Sequence, residues 1–247
     1  MSNVNDTFFD GYYKDIWRSL IPAELTVKET DFLVQHFDLR PGSQVLDIMC
    51  GYGRHALALG RQGIEVMAVD NLTDYISEIN ETATTETLPV KAAKADIAEF
   101  EAEGVFDLAL CMGNSLCFFP REDVAKILKM VSAHLRTGGH FLINTWTIAE
   151  IAFNNFQARG WTRSGDFKFL ADSKYLLQPS RIETEQLTLS PDGKTETKNA
   201  VDYIYSIAET EALLVEAGFS MEEVYSIPGR KKFTLGEPRA YIIARKI

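Results

Sequence analysis

The sequence predicts a doubly wound α/β fold, in which a mostly parallel sheet carries helices on both faces. Two observations support this prediction. From residue 44 onward, apolar runs of strand length alternate with helical patterns, and this alternation is typical of parallel strands joined by crossover helices. The first run, Val45–Ile48, leads into a turn that contains Gly51 and Gly53. Because glycine has no Cβ, such a turn lets the backbone approach a ligand closely.

Five strands are expected in the first part of the chain, with three helices between them. The predicted strands are Gln44–Ile48, Glu65–Val69, Val90–Ala95, Phe106–Met112 and Gly139–Trp146. The predicted helices are Arg54–Gln62, Thr73–Thr82 and Arg121–Leu135. The last helix carries an apolar stripe at helical spacing, and Gly138-Gly139 follow it as an expected stop signal.

The alternation breaks between residues 166 and 206. Strand patterns at Glu183–Leu189 and Thr195–Tyr205 flank the turn Ser190-Pro191-Asp192-Gly193, which predicts an inserted antiparallel hairpin. A helix is expected next, at Ala208–Ala217, and the apolar segments Phe219–Ile227 and Arg239–Arg245 close the chain. The predicted parts are an N-terminal helical cap (1–43), a nucleotide-binding core (44–146), a β-rich insertion (147–206) and a C-terminal helix with a strand pair (207–247).

Composition excludes several classes of function. A formal net charge of −10 over 247 residues argues against a nucleic-acid partner, which would need a basic face. The main basic cluster, Arg230-Lys231-Lys232, follows Pro228-Gly229 and is expected to be a solvated loop. No apolar run approaches the ~18 residues of a membrane span, and no signal-peptide pattern is present.

Cysteine and histidine usage predicts reduced thiols and no metal site. The three cysteines lack C-x-x-C spacing, which favours a cytoplasmic location. The four histidines lack metal-ligand spacing. The residues concerned are Cys50, Cys111, Cys117, His36, His55, His134 and His140.

Two acidic residues indicate which nucleotide the glycine turn holds. Gly51-x-Gly53-x-x-Ala56 with Asp70 fits a loose dinucleotide pattern, in which the acid lies about 20 residues on and accepts from the ribose hydroxyls. Asp47 precedes the turn, however, and a carboxylate beside a pyrophosphate is unfavourable. S-adenosylmethionine carries a sulfonium and an ammonium and no phosphate, so an acid here suits it.

This segment resembles motif I of the class I S-adenosylmethionine-dependent methyltransferases of the small-molecule type, an acid followed by Gly-Cys-Gly-x-Gly. Asp47, Cys50, Gly51 and Gly53 match, and Met49 stands in place of the usual first glycine. The resemblance implies a Rossmann-like, seven-stranded sheet that ends in an antiparallel pair. It also implies S-adenosylmethionine as cofactor and S-adenosylhomocysteine as product, with the insertion as a lid over the acceptor.

Two further segments resemble family motifs. Ala95-Asp96-Ile97 resembles the adenine site, with Leu72 against the other side of the base, although Asp96 also fits a helix N-cap. Phe106–Phe119 resembles motif IV, which ends beside the transferring methyl. The residues expected to bind the cofactor are Tyr13, Asp47, Met49, Cys50, Gly51, Gly53, Asp70, Asn71, Leu72, Ala95, Asp96, Ile97, Met112, Gly113 and Asn114.

Aromatic residues are expected around the acceptor. Tyr13 and Trp17 share a helical face, and their segment either folds over the cofactor or packs on the sheet edge. Asn114 is a candidate for a residue close to the transferring methyl, and no catalytic base is identified. The residues expected near the acceptor are Trp17, Ser115, Phe118, Phe119 and Trp146, of which the two phenylalanines also fit a core role.

The resemblance therefore implies methyl transfer to an oxygen or nitrogen of a small molecule by in-line displacement. Two alternatives remain. One is a module that binds S-adenosylmethionine or S-adenosylhomocysteine without catalysis, for which Met49 is the only sequence support. The other is a nicotinamide-dependent oxidoreductase, supported by Gly51-x-Gly53-x-x-Ala56.

Overall fold

The computed structural model describes residues 3–247, which form seven α-helices and twelve strands. The helices are α1 (Tyr13–Leu20), α2 (Ala23–His36), α3 (Arg54–Gly60), α4 (Thr73–Thr85), α5 (Arg121–His134), α6 (Ala149–Asn155) and α7 (Ile207–Glu216). The strands are β1 (Gln44–Ile48), β2 (Glu65–Asp70), β3 (Val90–Lys94), β4 (Phe106–Cys111), β5 (Leu135–Thr145), β6 (Arg159–Ser164), β7 (Phe167–Leu177), β8 (Ser180–Leu189), β9 (Thr195–Tyr203), β10 (Phe219–Ile227), β11 (Lys231–Lys232) and β12 (Ala240–Lys246).

The main sheet has the strand order β11-β10-β12-β5-β4-β1-β2-β3. Strands β1 to β5 pair in parallel, and β12 and β10 add antiparallel to β5. The mostly parallel fold with an antiparallel end is therefore confirmed. The two-residue strand β11 extends the expected seven strands to eight.

Both faces of this sheet are buried, which explains why its strands are continuous apolar runs. Leu46 and Ile48 of β1 pack in one core with α5 and α7, whereas Val45 packs in a second core with α2, α3 and α4. Neighbouring strands alternate in the same way, because successive side chains of a strand point to opposite faces.

The insertion is a separate antiparallel sheet with the order β6-β7-β8-β9. The predicted hairpin corresponds to β8 and β9, and the structure adds β6 and β7. The added strands were missed because one face of β7 is solvated and its residues alternate between half-buried and exposed. Their pattern is consequently more polar than that of the core strands.

Two smaller expectations were wrong. The pair Gly138-Gly139 lies inside β5 instead of ending α5, and β5 begins directly after His134. The basic cluster is partly an edge strand, since Lys231 and Lys232 form β11, where they make ion pairs with Glu237 and Glu223.

No helix among residues 3–247 is long and apolar enough to cross a membrane.

Candidate cofactor and acceptor site

A pocket opens where β1, β2 and β4 end, at the carboxyl edge of the parallel strands. This is the edge at which open α/β sheets bind ligands. Its lining includes most of the residues that the sequence singled out, namely Tyr13, Trp17, Asp47, Met49, Cys50, Gly51, Asp70, Asn71, Ala95, Asp96, Ile97, Met112, Gly113, Ser115, Phe118 and Phe119. Four other predicted residues, Gly53, Leu72, Asn114 and Trp146, are not part of the lining.

Asp47 is a buried acid that faces this pocket. The residue is 1% exposed, and within residues 3–247 its Oδ2 has no hydrogen-bond partner. Burial raises the pKa of the carboxyl to about 7; Arg54 lowers it and Asp70 raises it further. The carboxyl also accepts a hydrogen bond from the Ala56 backbone. Because a buried acceptor atom without a hydrogen bond is costly, Oδ2 can still take a donor from a ligand.

Asp70 joins the glycine turn to the end of β2. Its Oδ2 accepts from the Gly51 N–H at 2.8 Å, and its Oδ1 accepts from the Leu72 N–H at 3.0 Å. Burial raises the pKa of this carboxyl despite those backbone donors. Since a carboxylate has about four acceptor positions, capacity remains for ligand hydroxyls.

The turn after β1 has three left-handed residues, Met49 (φ 53°), Gly51 (φ 55°) and Gly53 (φ 73°). Met49 thus keeps a backbone conformation that favours glycine, at some strain. A Cβ at Gly51 would meet no protein atom within 4 Å, whereas one at Gly53 would lie 2.5 Å from Ile79 Cγ1. Gly51 therefore keeps the pocket open, and Gly53 allows α3 and α4 to pack closely.

The far end of the pocket carries the segment after β3. Asp96 Oδ1 accepts from the Ala98 N–H at 2.9 Å, but a turn and not a helix follows, so the N-cap role considered for this acid was wrong. Leu72 does not line the pocket; Asn71 and Tyr75 lie on that side instead. The Tyr75 hydroxyl donates to the Phe9 carbonyl at 3.1 Å, which ties this wall to the N-terminal segment.

A buried polar network behind the turn was missed by sequence reasoning. Glu29 accepts from Arg54 Nη1 at 2.6 Å and from the Tyr241 hydroxyl at 2.6 Å, and His55 Nε2 lies 3.0 Å away. Burial would raise the pKa of Glu29, but His55 and Arg54 outweigh it and lower the pKa to about 2. The adjacent polar residues Arg54 and His55 at the start of α3 were the sequence feature that could have indicated this network.

Aromatic side chains of the N-terminal segment cover the pocket. The ring centroids of Phe9 and Tyr13 are 5.0 Å apart, and those of Tyr13 and Trp17 are 6.0 Å apart. Phe9 also contacts Phe118 at 4.7 Å. Of the two roles considered for this segment, the structure shows the one that faces the pocket.

Asn114 has a different role from the one expected. It is 3% exposed and left-handed at φ 72°, and its Oδ1 accepts from Thr145 Oγ1 and the Trp146 N–H, both at 2.9 Å. Its Nδ2 donates to Cys117 Sγ at 3.1 Å. The amide is used inside the protein, so Asn114 fixes the ends of β4 and β5 instead of orienting an acceptor.

Trp146 also lies away from the expected position. Its ring packs against Trp17, with centroids 5.7 Å apart, and beneath the Arg239 guanidinium at 5.4 Å. It therefore supports Trp17, which lines the pocket.

Comparison with known proteins agrees with this architecture. Residues 45–139 match the family model described as a methyltransferase domain. The probable S-adenosyl-L-methionine-dependent methyltransferase TehB of Haemophilus influenzae is 33% identical over 100 residues, which cover 40% of this chain and 35% of TehB. The chain thus spans about a third of the length of this relative.

Solved structures extend the likeness to the whole fold. A S-adenosylmethionine-dependent methyltransferase from Clostridium acetobutylicum has a TM-score of 0.81 at 18% identity, covering 95% of this chain and 96% of its own. An amino pentose methyltransferase of calicheamicin biosynthesis from Micromonospora echinaspora, solved with S-adenosylmethionine, has a TM-score of 0.73 at 16% identity, covering 96% and 98%. Residues 45–139 are therefore similar to a methyltransferase domain, and the chain as a whole has the fold of the class I S-adenosylmethionine-dependent methyltransferases.

Proposed function

We propose that this protein binds S-adenosylmethionine and transfers its methyl group to a nitrogen or oxygen of a small-molecule acceptor. The observation that carries the proposal is the buried Asp47 carboxyl, whose Oδ2 has no hydrogen-bond partner within residues 3–247, in the same pocket as Asp70. Two neighbouring acids favour a cationic ligand and disfavour a pyrophosphate. A nicotinamide dinucleotide is therefore the weaker candidate.

Each part of the cofactor has a suitable group in this pocket. Asp70 is suited to accept from the ribose hydroxyls, and Asp96 with Ile97 is suited to the adenine. Asp47 is suited to the ammonium, and the nearby Arg54, which also lines the pocket, to the carboxylate of the methionine end. The open space at Gly51 leaves room for the ligand to approach the backbone.

Bound there, S-adenosylmethionine supplies an electrophilic methyl group on a good leaving thioether. The protein's contribution is then to align the acceptor in line with that methyl and to exclude water. Alignment of this kind is worth roughly 7–11 kcal/mol in well-oriented reactions. The aromatic cover of Phe9, Tyr13 and Trp17 is placed to exclude water.

A small acceptor is supported by the covered pocket and by the relatives. One structural neighbour is an amino pentose methyltransferase and another is a sugar N-methyltransferase. The four-stranded insertion is proposed as the lid over the acceptor. The cytoplasmic location stays a prediction from the three free cysteines.

Calorimetry with S-adenosylhomocysteine tests the proposal. The wild type and the surface variant Asp31→Asn are expected to bind it, and Asp47→Asn at least about tenfold more weakly, since a charge-assisted contact is lost. Absence of binding at millimolar ligand would overturn the proposal. So would thermal protection by NAD but not by S-adenosylhomocysteine.

The non-catalytic alternative is tested separately. Incubation of the protein with S-adenosylmethionine and a set of metabolites is expected to yield a methylated product by mass spectrometry. Binding without methylation of any acceptor would favour a module that holds the cofactor but does not react.

A further inference from the structure

Two side chains of α2 hold the arginine that begins α3. Arg54 follows the glycine turn directly, and it lines the pocket. Its Nη1 donates to Glu29 Oε2 at 2.6 Å and to Thr26 Oγ1 at 3.0 Å. Thr26 and Glu29 are three residues apart on α2, so they share one face of that helix. Two acceptors from one helix therefore fix the same nitrogen of the guanidinium.

Glu29 is itself held in place by contacts with three elements. The residue lies on α2 and is 3% exposed. Its Oε2 also lies 3.0 Å from Nε2 of His55 on α3, and its Oε1 accepts from the hydroxyl of Tyr241 on β12 at 2.6 Å. Because these partners surround the carboxylate, it has little freedom to move. Arg54 is consequently held in one orientation.

Arg54 does not pair with the other acid in its neighbourhood. It is close enough to Asp47 to lower the pKa of that carboxyl, against the larger effect of burial. Within residues 3–247, however, no ion pair joins Arg54 to Asp47, and Asp47 Oδ2 has no hydrogen-bond partner. A charge-assisted hydrogen bond between these two groups would be favourable. The contacts of Nη1 with Glu29 and Thr26 hold the guanidinium away from it.

The guanidinium keeps donors for a ligand. Arginine has five N–H donors, and the two on Nη1 serve Glu29 and Thr26. The donors on Nε and Nη2 remain, and a carboxylate can accept from two such donors in parallel. Since a side chain that is ordered beforehand loses less conformational entropy on binding, a fixed guanidinium binds a carboxylate more tightly than a mobile one.

We infer that Glu29, with Thr26, positions Arg54 for the carboxylate of the cofactor and keeps its guanidinium apart from Asp47. The pocket then offers a separate cation and a separate anion, and it selects ligands that end in an amino-acid zwitterion over ligands that end in an amine alone. This inference rests on the proposed function and adds two positioning residues that do not line the pocket.

The first test compares two ligands on the wild-type protein by calorimetry. One is S-adenosylhomocysteine, and the other is its decarboxylated form, which keeps the ammonium and lacks only the carboxylate. S-adenosylhomocysteine is expected to bind at least about tenfold more tightly, as a charge-assisted contact gives. Equal or tighter binding of the decarboxylated form would overturn the inference.

The second test measures the same preference in matched variants of α2. Glu29→Gln is expected to lose most of the preference for the carboxylate, as Arg54→Gln does. The control is Thr30→Val, since the buried Thr30 hydroxyl donates to the Thr26 and Val27 carbonyls of its own helix. This control is expected to retain the preference. If Glu29→Gln weakens both ligands equally, its role is merely structural and the inference is overturned.

A third variant decides the question if Glu29→Gln does not fold. Thr26→Val removes the other acceptor of Arg54 Nη1 at a half-buried position. It is expected to reduce the preference for the carboxylate at least about twofold, as the loss of one hydrogen bond gives. An unchanged preference in this variant would overturn the inference.

The two proposals fail in different ways. Binding of S-adenosylhomocysteine without preference over its decarboxylated form refutes only the positioning of Arg54. No binding of S-adenosylhomocysteine to the wild type refutes the proposed function, and this inference with it.

Discussion

Asn5 and Val201 are joined by a pair of hydrogen bonds that imitates strand pairing. The Asn5 side chain accepts from the Val201 N–H at 2.8 Å and donates to the Val201 carbonyl at 2.9 Å. The same amide also donates to the Phe118 carbonyl at 3.0 Å. One buried side chain thus fastens the N-terminal segment to both the insertion and the turn after β4.

Replacement of Asn5 by alanine should loosen this cover. Asn5→Ala removes the side-chain partner of the Val201 N–H and carbonyl, at a cost of about 1–3 kcal/mol, whereas the Phe118 carbonyl still accepts from Asn3 Nδ2. We expect faster tryptic cleavage after Lys14 or Arg18 and weaker binding of S-adenosylhomocysteine. Asn199→Ala, on the exposed side of β9, is the control, and equal cleavage rates in the two variants would contradict the prediction.

Asp47 should make the ligand-free protein less stable as the pH rises. Its folded pKa of about 7 lies above the ordinary value of 3.8 for an aspartate, so the folded state binds the proton more tightly and the free energy of unfolding falls as the pH rises across that interval. In urea unfolding, Asp47→Asn should exceed the wild type in stability at about pH 8, and the gain should shrink toward about pH 5. The control Asp31→Asn should differ from the wild type equally at both pH values. A gain that is independent of pH would refute this explanation.

At position 49, the glycine variant should be more stable than the alanine variant, which is the reverse of the usual order of stability. Because its φ is 53°, Met49→Gly should be about 1 kcal/mol more stable than Met49→Ala. Comparison of these two variants cancels the lost side-chain packing, and urea unfolding measures the difference. An alanine variant that is the more stable of the two would show that the turn relaxes out of the left-handed region.

Gly51 and Gly53 should respond differently to alanine. Gly51→Ala adds a Cβ that meets no protein atom within 4 Å, so the protein should fold and lose most of its affinity for S-adenosylhomocysteine. Gly53→Ala forces a Cβ against Ile79 and should cost about 1–3 kcal/mol by overpacking, in addition to backbone strain. Calorimetry and urea unfolding distinguish the two effects, and unchanged affinity in Gly51→Ala would contradict the assigned position of the ligand.

The core strands could be predicted because both faces of the main sheet are buried. Burial on two sides demands the uninterrupted apolar residues seen in Val45–Ile48 and in β4. By contrast, every residue of β6 except Ser164 is exposed, so the composition of Arg159–Ser164 did not distinguish a strand from a loop.

The polar residues of the site were predictable only where a local motif fixed them. Asp47 and Asp70 follow from the strand–turn–helix pattern, since each ends a strand at the same edge. The buried acids Glu29 and Asp202 contact partners far along the chain, Arg54 and Cys117 respectively. Such partners carry no sequence periodicity, so neither residue could be singled out.

The sequence by itself determined the core strands and their order along the chain, the glycine turn, and the two acids Asp47 and Asp70. These features depend on local backbone conformation and burial, which restrict the residue types at neighbouring positions. Only the tertiary structure decided that the Asn114 amide is hydrogen-bonded inside the protein, that Asn5 fastens the N-terminal segment, and that Asp202 contacts Cys117. Those roles depend on contacts between segments up to 196 residues apart, and hydrogen-bond geometry between distant segments exists only after the chain has folded.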